Sequence, residues 1–233
     1  RAFRAVLAEE PDNRQALHRL GTLLLQAGRA GEAEELIGEV ADEACTDPAV
    51  WVNLGNARRL QGRFQEAIRV FERAVELEPR SVGGWLGLGQ CLRNAGDLER
   101  AEEYLGHAYN LDPEDLGVLR ALADLFTHTG RAGRACALYR RCLEQSPGRP
   151  GLLLRLAQAL VAVNQHRQAL EELERVAPDT PQYPEALRLK AATGLMLNRA
   201  DFAVKTLDEL PDAHRDQPET VLLRGRAEAA RGN

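Results

Sequence analysis

Asn56, Gln90, Asp124 and Gln158 stand thirty-four residues apart, and Thr22 lies one interval before them. An amide offers a carbonyl acceptor and two N–H donors, so a ladder of such side chains can hydrogen-bond the backbone of an extended chain without demanding one sequence. Asn53 adds a further amide beside Asn56. Arginines keep the same neighbourhood: Arg59 and Arg93 are one interval apart, and Arg120, Arg155 and Arg188 follow at almost that spacing. Guanidiniums on a partly desolvated wall attract carboxylates and hold them bidentately. The chemistry these residues promise is recognition rather than bond-breaking.

Catalytic and metal chemistry finds no matching set. His18, His107, His128, His166 and His214 share no HExxH or other ligand spacing, and there is no glycine-rich phosphate loop, no GxSxG and no cysteine with an assignable histidine and acid. The sequence therefore predicts no enzyme within these residues, no cofactor and no metal. The cysteines at 45, 91, 136 and 142 form no CxxC pair, so they read as small apolar packing residues. That usage favours a reducing compartment, the cytoplasm first, with the periplasm as the alternative because a signal peptide would precede Arg1. A formal charge of -5 and a pI near 5.7 argue against a general nucleic-acid binder. No apolar run approaches the roughly 18 residues that a membrane span needs.

The elements that must position the ladder follow from the same interval. Stepping by thirty-four from Pro48 gives segments 14–47, 48–81, 82–115, 116–149, 150–183 and 184–217, flanked by partial segments 1–13 and 218–233. The eighth position is small throughout, from Gly21, Gly55 and Gly89 to Ala123, Ala157, Ala191 and Gly225. The twentieth is Ala33, Ala67, Ala101, Ala135, Ala169 and Ala203. Two helices must approach closely at these points. The fifteenth position is Gly or Asn in every copy, the residues that most readily take the left-handed conformation ending a helix. Nine of the eleven prolines fall at position thirty-two or position one, between helices.

Each repeat thus predicts helix A over positions two to fourteen, a turn, and helix B over positions eighteen to thirty-one. Pro178 and Pro211 fall elsewhere and should shorten the last two B helices. The apolar face of helix A is assigned to positions four, seven, eight and eleven. Positions two, five, six, nine, twelve and thirteen span the opposite arc of about 120°. Every ladder residue named above lies on that arc. Position seven changes from leucine to Lys190 and Arg224, which predicts looser packing from residue 184 and side chains reaching to water. Glutamate runs such as Glu34–Glu35 and Glu171–Glu172 fall on helix B and read as a solvated face. Because both ends keep the repeat register, the chain reads as part of a longer array.

Trp51, Leu54, Gly55, Ala67, Phe71, Ala74 and Pro79, echoed by Trp85, Leu88, Gly89, Ala101, Ala108 and Pro113, resemble the tetratricopeptide repeat signature W-x2-L-G-x2-Y…A-x3-F…A…P. The resemblance covers essentially the whole chain, and WVNLGNARRLQGRFQEAI looks most like the long arrays of bacterial proteins. It implies an all-α fold, a right-handed superhelical solenoid of antiparallel helix pairs whose A helices line a concave groove. The implied function is a protein-binding scaffold that holds an extended peptide or partner segment, an acidic one if the arginines are used. The chaperone-binding carboxylate clamp of the family is disfavoured, since His18 and Thr22 precede Asn53 while Gly83 and Gly87 follow where Lys and Arg are required. Two alternatives stand beside this: the substrate-recruiting arm of a larger enzyme of glycosyltransferase or sulfotransferase type, and an envelope scaffold for secretion or exopolysaccharide export.

Overall fold

The computed structural model describes residues 2–232, so Arg1 and Asn233, the outermost residues of the partial segments, lie outside the description. The described residues form fifteen helices and no strand. No helix among them is long and apolar enough to cross a membrane. The chain divides into two compact units, Arg1–Leu125 and Phe126–Asn233. Each is a stack of helix pairs.

The N-terminal unit begins with α1 (Ala2–Glu9) and continues through A and B helices in turn: α2 (Arg14–Gln26), α3 (Ala30–Val40), α4 (Pro48–Leu60), α5 (Phe64–Leu77), α6 (Val82–Ala95) and α7 (Leu98–Leu111). The A helix α8 (Leu116–His128) closes it and carries the boundary between the units. Helix starts are set by side chains that accept the first free N–H groups: Asn13 from Ala16, Asp47 from Ala49, Ser81 from Gly84 and Asp115 from Val118. Helix ends are set by backbone handedness. Gly28, Gly62, Gly96, Gly130, Asn164 and Asn198 all have positive φ, between 58° and 88°. The last copy differs, because Gly232 lies within the final turn of its helix.

Glycine at position eight is a matter of volume. A Cβ on Gly55 would stand 2.8 Å from the Phe71 ring, and one on Gly89 2.5 Å from Leu105. Phe71 is also pressed against Gly87 of the following A helix, so one buried ring fills a seat made by two glycines on α4 and α6. Gly87 is at position six, which corrects the assignment of that position to the open arc. The buried face of helix A is wider than its own partner requires, because it also covers the preceding B helix. Val50 and Gly84 at position three, and Ala57 and Cys91 at position ten, are buried for this reason, and a Cβ on Gly84 would lie 2.6 Å from Val75 of α5. The two tryptophans fix the linkers: the indole of Trp51 donates to the Cys45 carbonyl at 3.1 Å and that of Trp85 to the Pro79 carbonyl at 2.9 Å.

Helix α3 stops at Val40, three residues short of the corresponding end of α5, without a proline to stop it. Glu39, Asp42 and Glu43 crowd the negative end of its dipole, with no basic residue in the last turn. Arg14 takes up the chain there, holding the Asp42 carboxylate at 2.7 Å and the Val40 carbonyl at 2.6 Å. Glu34 is not on a solvated face. Its side chain is 18% exposed and binds Arg58 at 3.0 Å, Arg63 at 2.6 Å and Gln61 at 2.8 Å. Burial opposes its ionisation, but those hydrogen bonds and the two arginine charges outweigh it and hold the carboxyl below its usual range.

The C-terminal unit contains α9 (Ala132–Gln145), α10 (Pro150–Ala162), α11 (His166–Glu174), α12 (Tyr183–Met196), α13 (Ala200–Asp208), the single turn α14 (Asp212–Arg215) and α15 (Pro218–Gly232). Helices α11 and α13 end early, ahead of Pro178 and Pro211. Packing past residue 184 is not loose: Leu187, Ala191, Ala203, Leu207, Leu210 and Leu223 form one buried cluster. Lys190 does not reach to water either. Its side chain is 18% exposed, with Nζ 3.9 Å from Glu174 and 5.6 Å from the centre of the Phe202 ring, so an apolar stem and a local charge partner satisfy it in place.

Candidate functional site

Successive A helices of the N-terminal unit present one wall. The backbone of α6 at Gly83 lies against the Val52 side chain of α4, a Cβ there standing 3.3 Å from it, and a Cβ on Gly117 of α8 would come 3.1 Å from the Leu86 side chain of α6 in the same way. Val52 and Leu86 thus give the wall an apolar strip. Its signal in the sequence is valine and leucine at position five of an otherwise polar face.

The ladder divides into residues already engaged and residues left open. Asn53 donates its amide to the Thr22 hydroxyl at 3.0 Å and to Nε2 of His18 at 2.9 Å, while Thr22 donates to the His18 carbonyl. These three tie α4 to α2. Burial lowers the His18 pKa, opposed by the charge of Asp47. The ring is neutral at pH 7, and accepting from Asn53 at Nε2 leaves its proton on Nδ1, 4.0 Å from the Asp47 carboxylate. The place of His18 on the wall leaves no local trace in the sequence, because its partner Asn53 is thirty-five positions away.

Further along the wall, Arg59 donates to the Asn56 carbonyl oxygen at 3.2 Å, and Arg93 meets Asp124 at 3.3 Å, both side chains being less than one-fifth exposed. Gln90 lies half-buried between these pairs, its side chain making no hydrogen bond among the described residues. Arg120 is exposed. Burial pushes the Arg59 guanidinium below its ordinary range, and the charges of Arg120 and Arg93 act in the same direction against the nearby Cys91. Burial drives the Cys91 thiol up to about 11, against the pull of Arg59. Arg59 is therefore within electrostatic reach of an arginine on each of the next two A helices.

The wall of the C-terminal unit is more self-contained. Gln158 donates to Glu185 at 3.2 Å, and Arg188 donates to Gln217 at 2.8 Å and lies 4.0 Å from Glu219. Arg155 is exposed on α10. A cleft of about 410 Å³ opens between Gln158, Arg188, Leu189, Ala192 and Leu222. All four cysteines are buried and none forms a disulfide, and among the described residues no group of three or more His, Cys, Asp or Glu side chains lies together as metal ligands would.

Helix pairs recurring at thirty-four residues, with small residues where A meets B and a polar A-helix wall, define a tetratricopeptide-repeat array. The chain belongs to the family described as "Cilia and flagella-associated protein 70 C-terminal domain", whose model matches residues 4–221. It is 39% identical over 78 residues to the TPR repeat-containing protein PA4667 of Pseudomonas aeruginosa, a match covering 33% of this chain and 13% of that protein. A second relative, human tetratricopeptide repeat protein 7A, is 28% identical over 79 residues, covering 34% of this chain and 9% of its own length. The chain thus spans only a small part of either. Among solved structures, the APC/C hetero-tetramer Cut9-Hcn1 matches 97% of this chain and 45% of that chain, with a TM-score of 0.82 at 18% identity. YrrB, described as a TPR protein with an unusual peptide-binding site, matches 85% of this chain and 98% of its own, with a TM-score of 0.56 at 17% identity. The architecture is that of a tetratricopeptide-repeat array of helix pairs.

Proposed function

We propose that the A-helix wall of the N-terminal unit holds an extended segment of a partner protein. The observation that carries this reading is Gln90: a half-buried amide with no partner among the described residues, set between two satisfied polar pairs and beside the apolar strip of Val52 and Leu86. Solvent reaches that amide in the unliganded chain, and an extended backbone can take the solvent's place, supplying a donor and an acceptor at one residue. The apolar strip offers side-chain contact alongside. The peptide-binding site named for YrrB lends support to the same use of the fold. A recruiting arm of a larger enzyme or an export scaffold would employ the same wall, so these remain narrower forms of one proposal.

Selection from a displayed library of random peptides tests it. Enriched peptides should bind the chain and lose affinity when Gln90→Trp or Asn56→Trp fills the wall, with the far-UV circular dichroism unchanged. Glu72→Trp on α5 should leave binding intact. Peptides that bind all three variants equally would place recognition elsewhere and sink the reading.

A further inference from the structure

Charge in the N-terminal unit is sorted by helix. The A helices α2, α4 and α6 carry Arg14, Arg19, Arg58, Arg59 and Arg93 and no acidic residue. The B helix α3 carries Glu32, Glu34, Glu35 and Glu39 and no basic one, and in α5 and α7 acids outnumber bases. A chain of formal charge -5 therefore gathers positive charge on its A helices.

Not all of it is free. Arg14 is neutralised by Asp42 and Arg58 by Glu34. Arg93 is held by Asp124, the one acid of α8. Arg59 and Arg120 have no acidic partner among the described residues, although Arg59 is half-buried and faces the charges of both other arginines. Of these three guanidiniums, Arg93 has a carboxylate at 3.3 Å. Like charges gathered in a partly desolvated place raise the free energy of the unliganded protein, and an arriving anion relieves both the repulsion and the unmet charge. This grouping differs from the one that spacing suggests, because Arg188 is occupied by Gln217 and Glu219.

We propose that Arg59, Arg93 and Arg120, with Gln90 between them, form an anion site for a carboxylate or phosphoryl group on a side chain of the partner segment. The proposal rests on the reading of the wall as a peptide groove. Arg59 and Arg120 supply the unneutralised donors, Arg93 stays oriented by Asp124, and Gln90 meets the backbone beside the anionic residue. A monoanion neutralises one of the two excess charges; a phosphoryl dianion, or two neighbouring carboxylates, neutralises both.

The test measures binding of three labelled Gly/Ser peptides to the 233-residue chain, one carrying paired Asp residues, one with Asn in their place and one with phosphoserine. The Asp peptide should bind at least about tenfold more tightly than the Asn peptide, and that preference should weaken with added salt. Arg59→Gln/Arg120→Gln should abolish the preference. Arg120→Gln alone, at an exposed position, should lose part of it without altering the helical signal. Arg69→Gln, exposed on α5, removes the same formal charge and should leave it unchanged. Tighter binding of the phosphoserine peptide would identify a phosphoryl group as the ligand; equal or tighter binding of the Asp peptide would identify carboxylates. Equal binding of Asp and Asn peptides, or a preference that survives Arg59→Gln/Arg120→Gln, overturns the anion site and leaves the groove reading standing. Failure of all three peptides to bind overturns both.

Discussion

In the N-terminal unit α4 and α6 meet their B helices through Gly55 and Gly89, whereas in the C-terminal unit Ala157 and Ala191 hold the same place. The glycines admit larger groups: Phe71 lies wholly buried between Gly55 and Gly87. The alanines accept Cβ atoms that are themselves fully buried, beside B helices cut short by proline, and Val176 and Leu210 are buried beyond the helix ends. The walls differ in parallel. In the N-terminal unit Arg59, Gln90 and Arg120 are left without an acidic or amide partner beyond Asn56, while Gln158 and Arg188 in the C-terminal unit are bonded to Glu185 and Gln217. One repeat pattern thus accommodates different core volumes and different degrees of self-satisfaction, and the difference is why the proposed groove is assigned to the N-terminal wall.

The sharpest test of the packing half of that contrast is Phe71→Ala, which empties a seat shared by two repeats and should cost about 3–5 kcal/mol in chemical denaturation. Leu207→Ala in the C-terminal unit should fall within about 2–5 kcal/mol, toward the lower end, because its neighbours belong to a shorter helix. A larger loss at Leu207 would reverse the comparison. Gly87→Ala should cost about 1–3 kcal/mol, since Phe71 has nowhere to move. Gly225→Ala in α15 meets open space and should instead stabilise by about 0.5–1 kcal/mol through helix propensity. Equal effects at the two glycines would remove volume as the reason for the glycine seats.

A smaller effect is expected at Glu34→Gln, about 1–2 kcal/mol, because Arg58 and Arg63 lose a charged acceptor in a partly buried place. The smallest concerns His18. Its pKa is lower in the folded chain than in the unfolded one, so the unfolded state binds more protons as pH falls. Stability that is full above about 6.5, the ordinary histidine value, should decline as pH drops below it. Protonation also puts a hydrogen on Nε2, which can no longer accept from Asn53. Thermal melts from about pH 7.5 to about 5.5 should show this slope in the natural chain and a flatter one in His18→Gln; identical slopes would mean that the α2–α4 tie does not titrate.

Much of this protein is written locally. The helix starts follow from Asn13, Asp47, Ser81 and Asp115, the turns from Gly28 to Asn198, and the short α11 and α13 from Pro178 and Pro211. Each depends on φ, on a free N–H or on a missing one, which a few adjacent residues decide. Thirty-four-residue recurrence then identifies the stacking, because one helix pair cannot bury its own apolar face. The early end of α3 is only half local: the acids at Glu39, Asp42 and Glu43 disfavour its continuation, but Arg14 of α2 is what holds the chain after Val40.

The wall is where tertiary structure decided. Sequence placed Thr22, Asn53, Asn56, Gln90, Asp124 and Gln158 on one arc, and the arginines among them, but it gave each the same standing. In the folded chain Asn53 is spent on His18 and Thr22, Asp124 on Arg93, and Gln158 on Glu185, whereas Gln90 and Arg120 remain open. Helical periodicity sets the direction in which a side chain leaves its own helix. Whether it then meets a complementary group depends on a neighbour some thirty residues away, on the length of both side chains and on the separation that buried residues such as Phe71 and Ala57 impose between the helices.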